Sequence, residues 1–415
     1  MSNQELMQSA NEAIKAHRKR TNGDIPGNDN ASTPNAEQQG TAQPVIVRAT
    51  PYQWIDPQKI AKRDWLYGRI YIRKFVTATV APGATGKTSL LTVEALSMTS
   101  AKALLGITPP KPLRVWLLNL EDPFEESQRK IQAAALHYDL KSEHFCDRLF
   151  VDSGRDQKFV IAETDRNGFR IIRPVVDAIV AEAKRLQIDA IIVDPFVSCH
   201  RVPENDNNGQ DAVVKEWGRV ADLANCAVHL ADHTRKMGEG EITVESARGA
   251  KAKTDACREV RLVAKMTKEE AGNAGVENHF LYFKTLNGKP NLSIPTDKWD
   301  WFKLNNVALG NGDDVGVVCK WKYPDPLANV TANDFDRVAA VIKRGKYREH
   351  YSAKDWVGKA VAEVMKLNLD NKHDRNKVNA MLAMWKKAGS LIAYEEMDDN
   401  SEIRNFIKVK EGELE

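Results

Sequence analysis

A-P-G-A-T-G-K-T, Ala81 to Thr88, lies between the apolar run Phe75 to Val80 and a helix-forming run that begins near Ser89. It fits the phosphate-binding loop with one relaxation, because Ala81 stands where the strict G-x-x-x-x-G-K-[ST] pattern has its first glycine. Gly83 and Gly86 let the backbone turn N–H groups inward around an anion, and the helix that follows directs its positive end at the same place. Lys87 then reaches the β- and γ-phosphates, and the Thr88 hydroxyl holds Mg²⁺. The competing reading is a chance Gly-rich turn before an ordinary helix. The strand, loop and helix context favours the phosphate loop, with Gly83, Ala84, Thr85, Gly86, Lys87, Thr88 and Ser89 as the nucleotide-binding candidates and ATP with Mg²⁺ as the ligands.

Outward from this loop, a chain of 415 residues is long enough for two or three domains. The net charge of +3 is uninformative as a total. No apolar run approaches the roughly 20 residues of a membrane span, and the start M-S-N-Q-E-L-M-Q lacks the basic and then apolar order of a signal peptide. A cytoplasmic protein without membrane contact is expected. The five cysteines include no C-x-x-C pair, so neither a zinc knuckle nor a disulfide framework is expected. Residues 1–44 are too polar to offset their ordering entropy and read as a disordered tail.

Downstream, Leu113 to Leu120 reads as a strand buried on both faces. It runs directly into Glu121, Asp122 and Pro123, two carboxylates at a strand's carboxyl end before a helix start. Ile188 to Phe196, I-D-A-I-I-V-D-P-F, is a second apolar strand ending in Asp194, which is placed either to orient Mg²⁺ or to cap the turn before Pro195. Val197 to Gln210 is polar and reads as a mobile surface loop. After the strand Ala227 to Leu230 comes A-D-H-T-R-K, with His233 and Lys236 again at a carboxyl end. Strands alternating with helices predict an α/β fold with a mostly parallel sheet, and further strands are expected at Glu259 to Lys265, His279 to Thr285 and Trp299 to Val307.

Hydrolysis of a phosphoanhydride needs a held phosphate, a metal, a base for water and a cation for the developing charge. Lys87, Thr88 and Asp194 supply the first two, and Glu121 is the natural base with Asp122 as runner-up.

The order of P-loop, E-D-P, I-I-V-D-P, D-H-x-x-K and R-G-x-x-x-x-x-D-x-x-R resembles the RepA-like branch of the RecA-type hexameric ATPases, which includes replicative helicases of plasmids and phages. The likeness covers roughly Ala49 to Leu309. It implies a RecA-like core, a homo-oligomeric ring, most naturally a hexamer, and single-stranded DNA in the ring channel. It also implies that Glu121 activates water, that His233 couples the γ-phosphate to DNA-facing loops, and that Arg248 enters the neighbouring subunit's site as an arginine finger. The chain departs from the pattern at Ala250 and Lys251, where family members often carry small hydroxyl residues, so Lys251 and Arg258 are alternative trans-acting cations. Lys284 and Lys289, flanking Asn287 and Gly288, are further candidates for the nucleotide site or ring interface.

The domain boundaries expected are a core over 45–315, a linker over 316–329 and a small domain over 330–415. Three helices and a hairpin in that last segment resemble a winged helix. Residues 331–390 hold 13 Lys/Arg against 7 Asp/Glu, a balance of +6, which suits contact with duplex DNA. Two functions compete: a DNA-stimulated helicase motor, and a DNA-binding regulator or helicase loader whose ATP cycle switches assembly.

Overall fold

The computed structural model describes residues 48–166, 168–233, 251–398 and 401–410. The tail expected over 1–44 lies outside the described residues. Contacts divide the chain into Met1–Ile60 and Ala61–Glu415. In the first, the Asp56 carboxylate caps a short 3-10 turn, Pro57–Lys59, by accepting from the Gln58 N–H at 2.9 Å. Every element below belongs to the second.

A small antiparallel pair, β1 (Trp65–Tyr67) and β2 (Tyr71–Ile72), leads into the P-loop strand β3 (Val76–Ala81) and helix α1 (Lys87–Ser100). Then follow β4 (Val115–Asn119), α2 (Phe124–His137), α3 (Ser142–Phe145), β5 (Leu149–Ser153), β6 (Ala162–Asp165), β7 (Gly168–Ile171), α4 (Arg173–Arg185) and β8 (Ala190–Asp194). The core continues through β9 (His200–Arg201), α5 (Asn207–Ala224), β10 (Ala227–His233), α6 (Lys251–Ala256), β11 (Glu259–Lys265), α7 (Lys268–Ala274), β12 (Tyr282–Pro290), β13 (Asp300–Ala308) and β14 (Asp314–Trp321).

Nine of these strands form one sheet in the order β14-β13-β12-β11-β3-β10-β8-β4-β5. From β5 to β11 the strands are parallel, and β12 to β14 add an antiparallel flank. Strands β3, β4 and β8 are buried at every residue, as a sheet covered on both faces requires. Their side chains alternate between two cores. Ile191 and Val193 of β8 pack with Trp217 and Val220 of α5, whereas Ala190 and Ile192 pack with Leu91, Ala95 and Met98 of α1. The sheet runs to Trp321, past the limit of 315 expected for the core.

The segment Val197 to Gln210 is not the open loop its polarity suggests. A 3-10 turn spans Phe196–Cys199, β9 pairs in parallel with β6, and α5 starts at Asn207 behind the Asp206 carboxylate, which accepts from the Gly209 N–H at 2.9 Å. Phe196, Cys199 and Val202 punctuate the polar run and are buried. The Gln210 amide fastens the turn by donating to the Val202 and Pro203 carbonyls, each at 3.1 Å.

The C-terminal region consists of α8 (Ala332–Ile342), β15 (Tyr347–Arg348), α9 (Val357–Met365), α10 (Lys372–Lys387) and the hairpin β16 (Leu391–Met397) and β17 (Ile403–Val409), with strand order β15-β17-β16. It has its own apolar core, in which Val338, Val357, Val361, Val378, Met381 and Trp385 meet.

Candidate functional site

Because β3, β4, β8, β10 and β11 run in parallel, their carboxyl ends share one edge of the sheet. Ala81 of β3 pairs with His233 of β10, and Asn119 of β4 pairs with Asp194 of β8. The loops after these strands therefore open together, and the sequence candidates Lys87, Glu121, Asp194 and His233 all leave from this edge.

At its centre, Lys87 Nζ donates to Asp194 Oδ1 and Thr88 Oγ1 donates to Asp194 Oδ2, each at 2.7 Å. Lys87 and Asp194 are both about 5% exposed, so their charges are compensated almost entirely by each other. Gly86 stands at φ 85°, in the left-handed region, and a Cβ there would come within 3.3 Å of the Phe283 ring and 3.4 Å of Leu304. Only glycine meets both demands without strain. No side chain caps α1 at Gly86, which leaves its first N–H groups facing the loop. Thr85 Oγ1 donates to the Pro82 carbonyl at 2.8 Å and so folds the loop on itself. Ala84, at φ 55°, is exposed at the tip with Gly83. Ser89 instead turns away and donates to the Gly316 carbonyl at 2.8 Å. A buried lysine, an uncapped helix start, and a hydroxyl beside a carboxylate are the donor set that a nucleotide phosphate and Mg²⁺ require.

The two carboxylates after β4 have different surroundings. Asp122 accepts from Lys130 Nζ at 2.8 Å and from Asn119 Nδ2 at 3.3 Å. Burial works to raise its pKa, and these two donors overcome that and hold the carboxyl below its ordinary value. Glu121 bonds through its backbone, its N–H to Asn119 Oδ1 at 3.4 Å and its carbonyl from Arg155 Nε at 2.8 Å. Its carboxylate is exposed and has no ion-pair partner among the described residues.

Beneath α1 runs a buried polar network that sequence reasoning missed. Arg261 of β11 pairs with Glu94 of α1, donating through Nη1 and, at 3.0 Å, through Nη2. Its Nε donates to Thr79 Oγ1 at 3.0 Å, and Tyr71 donates its hydroxyl to Glu94 at 2.9 Å. The two ring nitrogens of His229 lie 2.8 and 2.7 Å from the hydroxyls of Thr77 and Thr79. Burial, with the charges of Arg261 and Lys87 adding to it, holds His229 well below its ordinary pKa and therefore neutral. One signal was available: an arginine inside the apolar strand E-V-R-L-V-A-K has to find a buried carboxylate.

The remaining candidates disperse. His233 is exposed at the end of β10. Beside it, Asp232 is buried and accepts from Lys253 Nζ of α6 at 3.3 Å. Arg258 immediately precedes β11 at the opposite edge of the sheet, where its N–H donates to the Val76 carbonyl. Lys251 starts α6, while Arg248 and Lys236 lie outside the described residues. Lys289 caps the end of α6 by donating to the carbonyls of Thr254 and Asp255 at 2.9 and 2.8 Å. Lys284 pairs with Glu270 and lies over the rings of Trp299 and Trp301. Both lysines thus have structural partners within the chain.

In the C-terminal region, a cleft of about 1220 Å³ separates α10 from the segment 348–356 and the hairpin. Its cations are largely matched: Lys386 pairs with Glu349 at 2.5 Å, and Arg348 with Asp398 at 3.2 Å. The first turns of α10 face α7, where His373 Nδ1 donates to the Asn273 carbonyl at 2.7 Å and the Asn376 amide bonds the Asn273 side chain.

Among known proteins, a model of the AAA domain family matches residues 41–239, which hold the P-loop, Glu121, Asp194 and His233. The chain is similar to the crystal structure of the RadB recombinase at 14% identity and a TM-score of 0.38, over 57% of this chain and 89% of that one. No curated protein matches it. The family match and the P-loop set on a mostly parallel sheet support a P-loop ATPase core. No helix among the described residues is long and apolar enough to cross a membrane.

Proposed function

We propose that this chain is an ATP-hydrolysing, DNA-stimulated oligomeric motor, a RepA-like replicative helicase of a plasmid or phage. The observation that carries the reading is the meeting of Lys87, Thr88 and Asp194 within 2.7 Å at the edge where Glu121 is exposed and has no ion-pair partner among the described residues. Lys87 binds the β- and γ-phosphates, and the N–H groups of Gly83 to Thr88 surround them. Thr88 and Asp194 hold Mg²⁺, which when bound supplies charge neutralisation at the phosphate oxygens. Glu121 orients the attacking water and takes its proton, a role for which Asp122 is unsuited because Lys130 and Asn119 occupy it. His233, at the end of the strand beside the P-loop strand, links the γ-phosphate to the segment that follows. Arg248 acts in trans as the finger of the neighbouring subunit, with Lys251 and Arg258 as alternatives, so that hydrolysis depends on a homo-oligomeric ring, a hexamer by family likeness. The C-terminal region acts as a winged helix that contacts duplex DNA, while single-stranded DNA occupies the channel.

A second reading, a regulator or helicase loader whose ATP cycle controls assembly, is favoured by the ordered state of Val197 to Gln210. In that segment Arg201 is the cation that faces solvent, which is little for tracking a strand. Unwinding of forked DNA, with Glu121→Gln and Lys87→Ala as controls, separates the two. ATP hydrolysis that DNA fails to stimulate, with no strand separation, overturns the helicase reading. For the finger, mixing Arg248→Ala with Lys87→Ala subunits is expected to restore part of the activity, and no rescue at any ratio counts against a shared site.

A further inference from the structure

Helix α1 is tied to the sheet on both sides of β3. Lys87, its first residue, is paired with Asp194 of β8, and Glu94, seven positions on and so on the same face, is paired with Arg261 of β11. Strand β11 borders β3 on one side, and β10 followed by β8 borders it on the other. Both pairs are buried. They differ in what the proposed reaction asks of them. A lysine that serves a phosphate has to give up its carboxylate, so the tie between Lys87 and Asp194 is one that substrate binding breaks. No such demand falls on the second tie, whose groups are occupied by Tyr71 at 2.9 Å, by Thr79 at 3.0 Å and by each other. Apolar residues of similar volume in place of both charges and the Tyr71 hydroxyl would fill that space at little or no loss of stability. The charged pair therefore calls for a reason other than stability.

The geometry assigns Glu94 and Arg261 as positioning residues of the nucleotide site. They fix α1 to β11 and β3 while Lys87 exchanges Asp194 for a phosphate, so that the lysine side chain moves and the helix does not. Thr79 extends the anchorage to His229 of β10, at 2.7 Å. The inference rests on the ATP-hydrolysing reading above. Small displacements of groups that position a substrate are costly in rate, on the order of 10²-fold for 1 Å.

The test is the double variant Glu94→Leu/Arg261→Met in the full chain, with Arg261→Lys alongside. The melting temperature without nucleotide reports folding, and the rise in that temperature with ADP and the kcat/KM for ATP report the site. The double variant is expected to melt below the unsubstituted chain by no more than the loss of the buried Tyr71 hydroxyl's acceptor accounts for, with a smaller ADP-induced rise and kcat/KM lower by about tenfold or more. Arg261→Lys keeps the charge beside Glu94 and is expected to recover part of both. Unchanged kcat/KM and an unchanged ADP-induced rise in the double variant overturn the assignment. If the double variant does not fold, Arg261→Lys decides alone: a lowered kcat/KM at an unchanged melting temperature supports the role, and unaltered kinetics overturn it. An unsubstituted chain that neither hydrolyses ATP nor gains stability from ADP overturns the ATPase reading itself, and the assignment with it.

Discussion

Around helix α1 the nucleotide site buries charged pairs and leaves Glu121 and His233 exposed at its rim, whereas the C-terminal region keeps its charges near the surface around an apolar core. At the edge, Lys87, Asp194, Glu94, Arg261 and Asp232 are all buried, with cation paired to carboxylate. In the C-terminal region, Lys346–Glu396 and Lys386–Glu349 reach solvent, Arg348–Asp398 is partly buried, and the residues buried together are apolar. A buried charge depends on one partner, and removing that partner leaves it uncompensated. A surface charge has water and salt as substitutes. The first arrangement specifies a geometry, and the second leaves a face adjustable.

The largest effect is expected within the edge itself, between two neighbouring carboxylates. Glu121→Gln should lower kcat for ATP by about 10²- to 10⁴-fold while nucleotide affinity is kept, as loss of a general base does. Asp122→Asn should cost about 1 kcal/mol or less of stability, since its pairing with Lys130 is partly exposed, and leave kcat within about tenfold. Single-turnover hydrolysis of the two variants checks this. Equal losses would mean that pairing with Lys130 does not separate the two roles.

The second effect tests whether the C-terminal region is energetically separate. Trp385 is 5% exposed in that core and packs on Phe335 with ring centroids 5.3 Å apart. Trp385→Ala should destabilise the region by about 3–5 kcal/mol. Calorimetry should then show an early transition for it and a later one, raised by ADP, for the core. A single transition that ADP raises as a whole would show that the contacts of α7 with α10 join the two into one cooperative unit.

What the sequence revealed follows the same division. The P-loop, the end of β8 at Asp194 and the carboxylates after β4 were readable because local spacing defines them: a strand must end where its ligand begins. The pairing of Glu94 with Arg261 spans 167 residues and depends on β11 lying next to β3, which no local period encodes. Strand order places β10 between the P-loop strand and β8, again a long-range fact. In Val197 to Gln210 the polar residues Arg201, Glu204, Asn205, Asn207 and Asn208 are exposed as polarity predicts, but the regular structure is held by the buried Gln210, whose bonds to the preceding turn no local pattern announces. Strand β14 was missed because its polar and apolar residues alternate only weakly around Gly316. In the C-terminal region the basic excess was legible, but its neutralisation by Glu349, Asp398 and Glu396 emerges only once the hairpin faces α10.

A buried histidine near the edge gives the third effect. His200 follows Asp194 by six positions, and burial, with the charge of Lys253 adding to it, lowers its pKa to about 4, against a weaker opposite pull from Asp232. The unfolded chain binds this proton near pH 6.5 and the folded chain does not until about pH 4, so the unfolded state gains as pH falls between them. Its contribution is complete above pH 6.5 and is lost toward pH 4, by up to about 3 kcal/mol. Urea unfolding from pH 7 to pH 4 should show this slope in the unsubstituted chain and a shallower one in His200→Phe. Identical slopes would place the acid sensitivity elsewhere.

The smallest effect belongs to the surface pairs. Lys386 on α10 is about one-third exposed and pairs with Glu349 at 2.5 Å. Lys386→Ala should change stability by no more than about 1 kcal/mol, because water replaces the ammonium around Glu349. Its effect on duplex DNA is the sharper measure. If this face contacts phosphates, Glu349 competes with them for Lys386, and Glu349→Gln should strengthen binding while Lys386→Ala weakens it and reduces the salt slope by about one. If the cleft beside α10 serves a protein partner instead, both variants should leave DNA affinity and its salt slope unchanged. That outcome would restrict DNA to the ATPase core, and the adjustable face would then be an assembly surface.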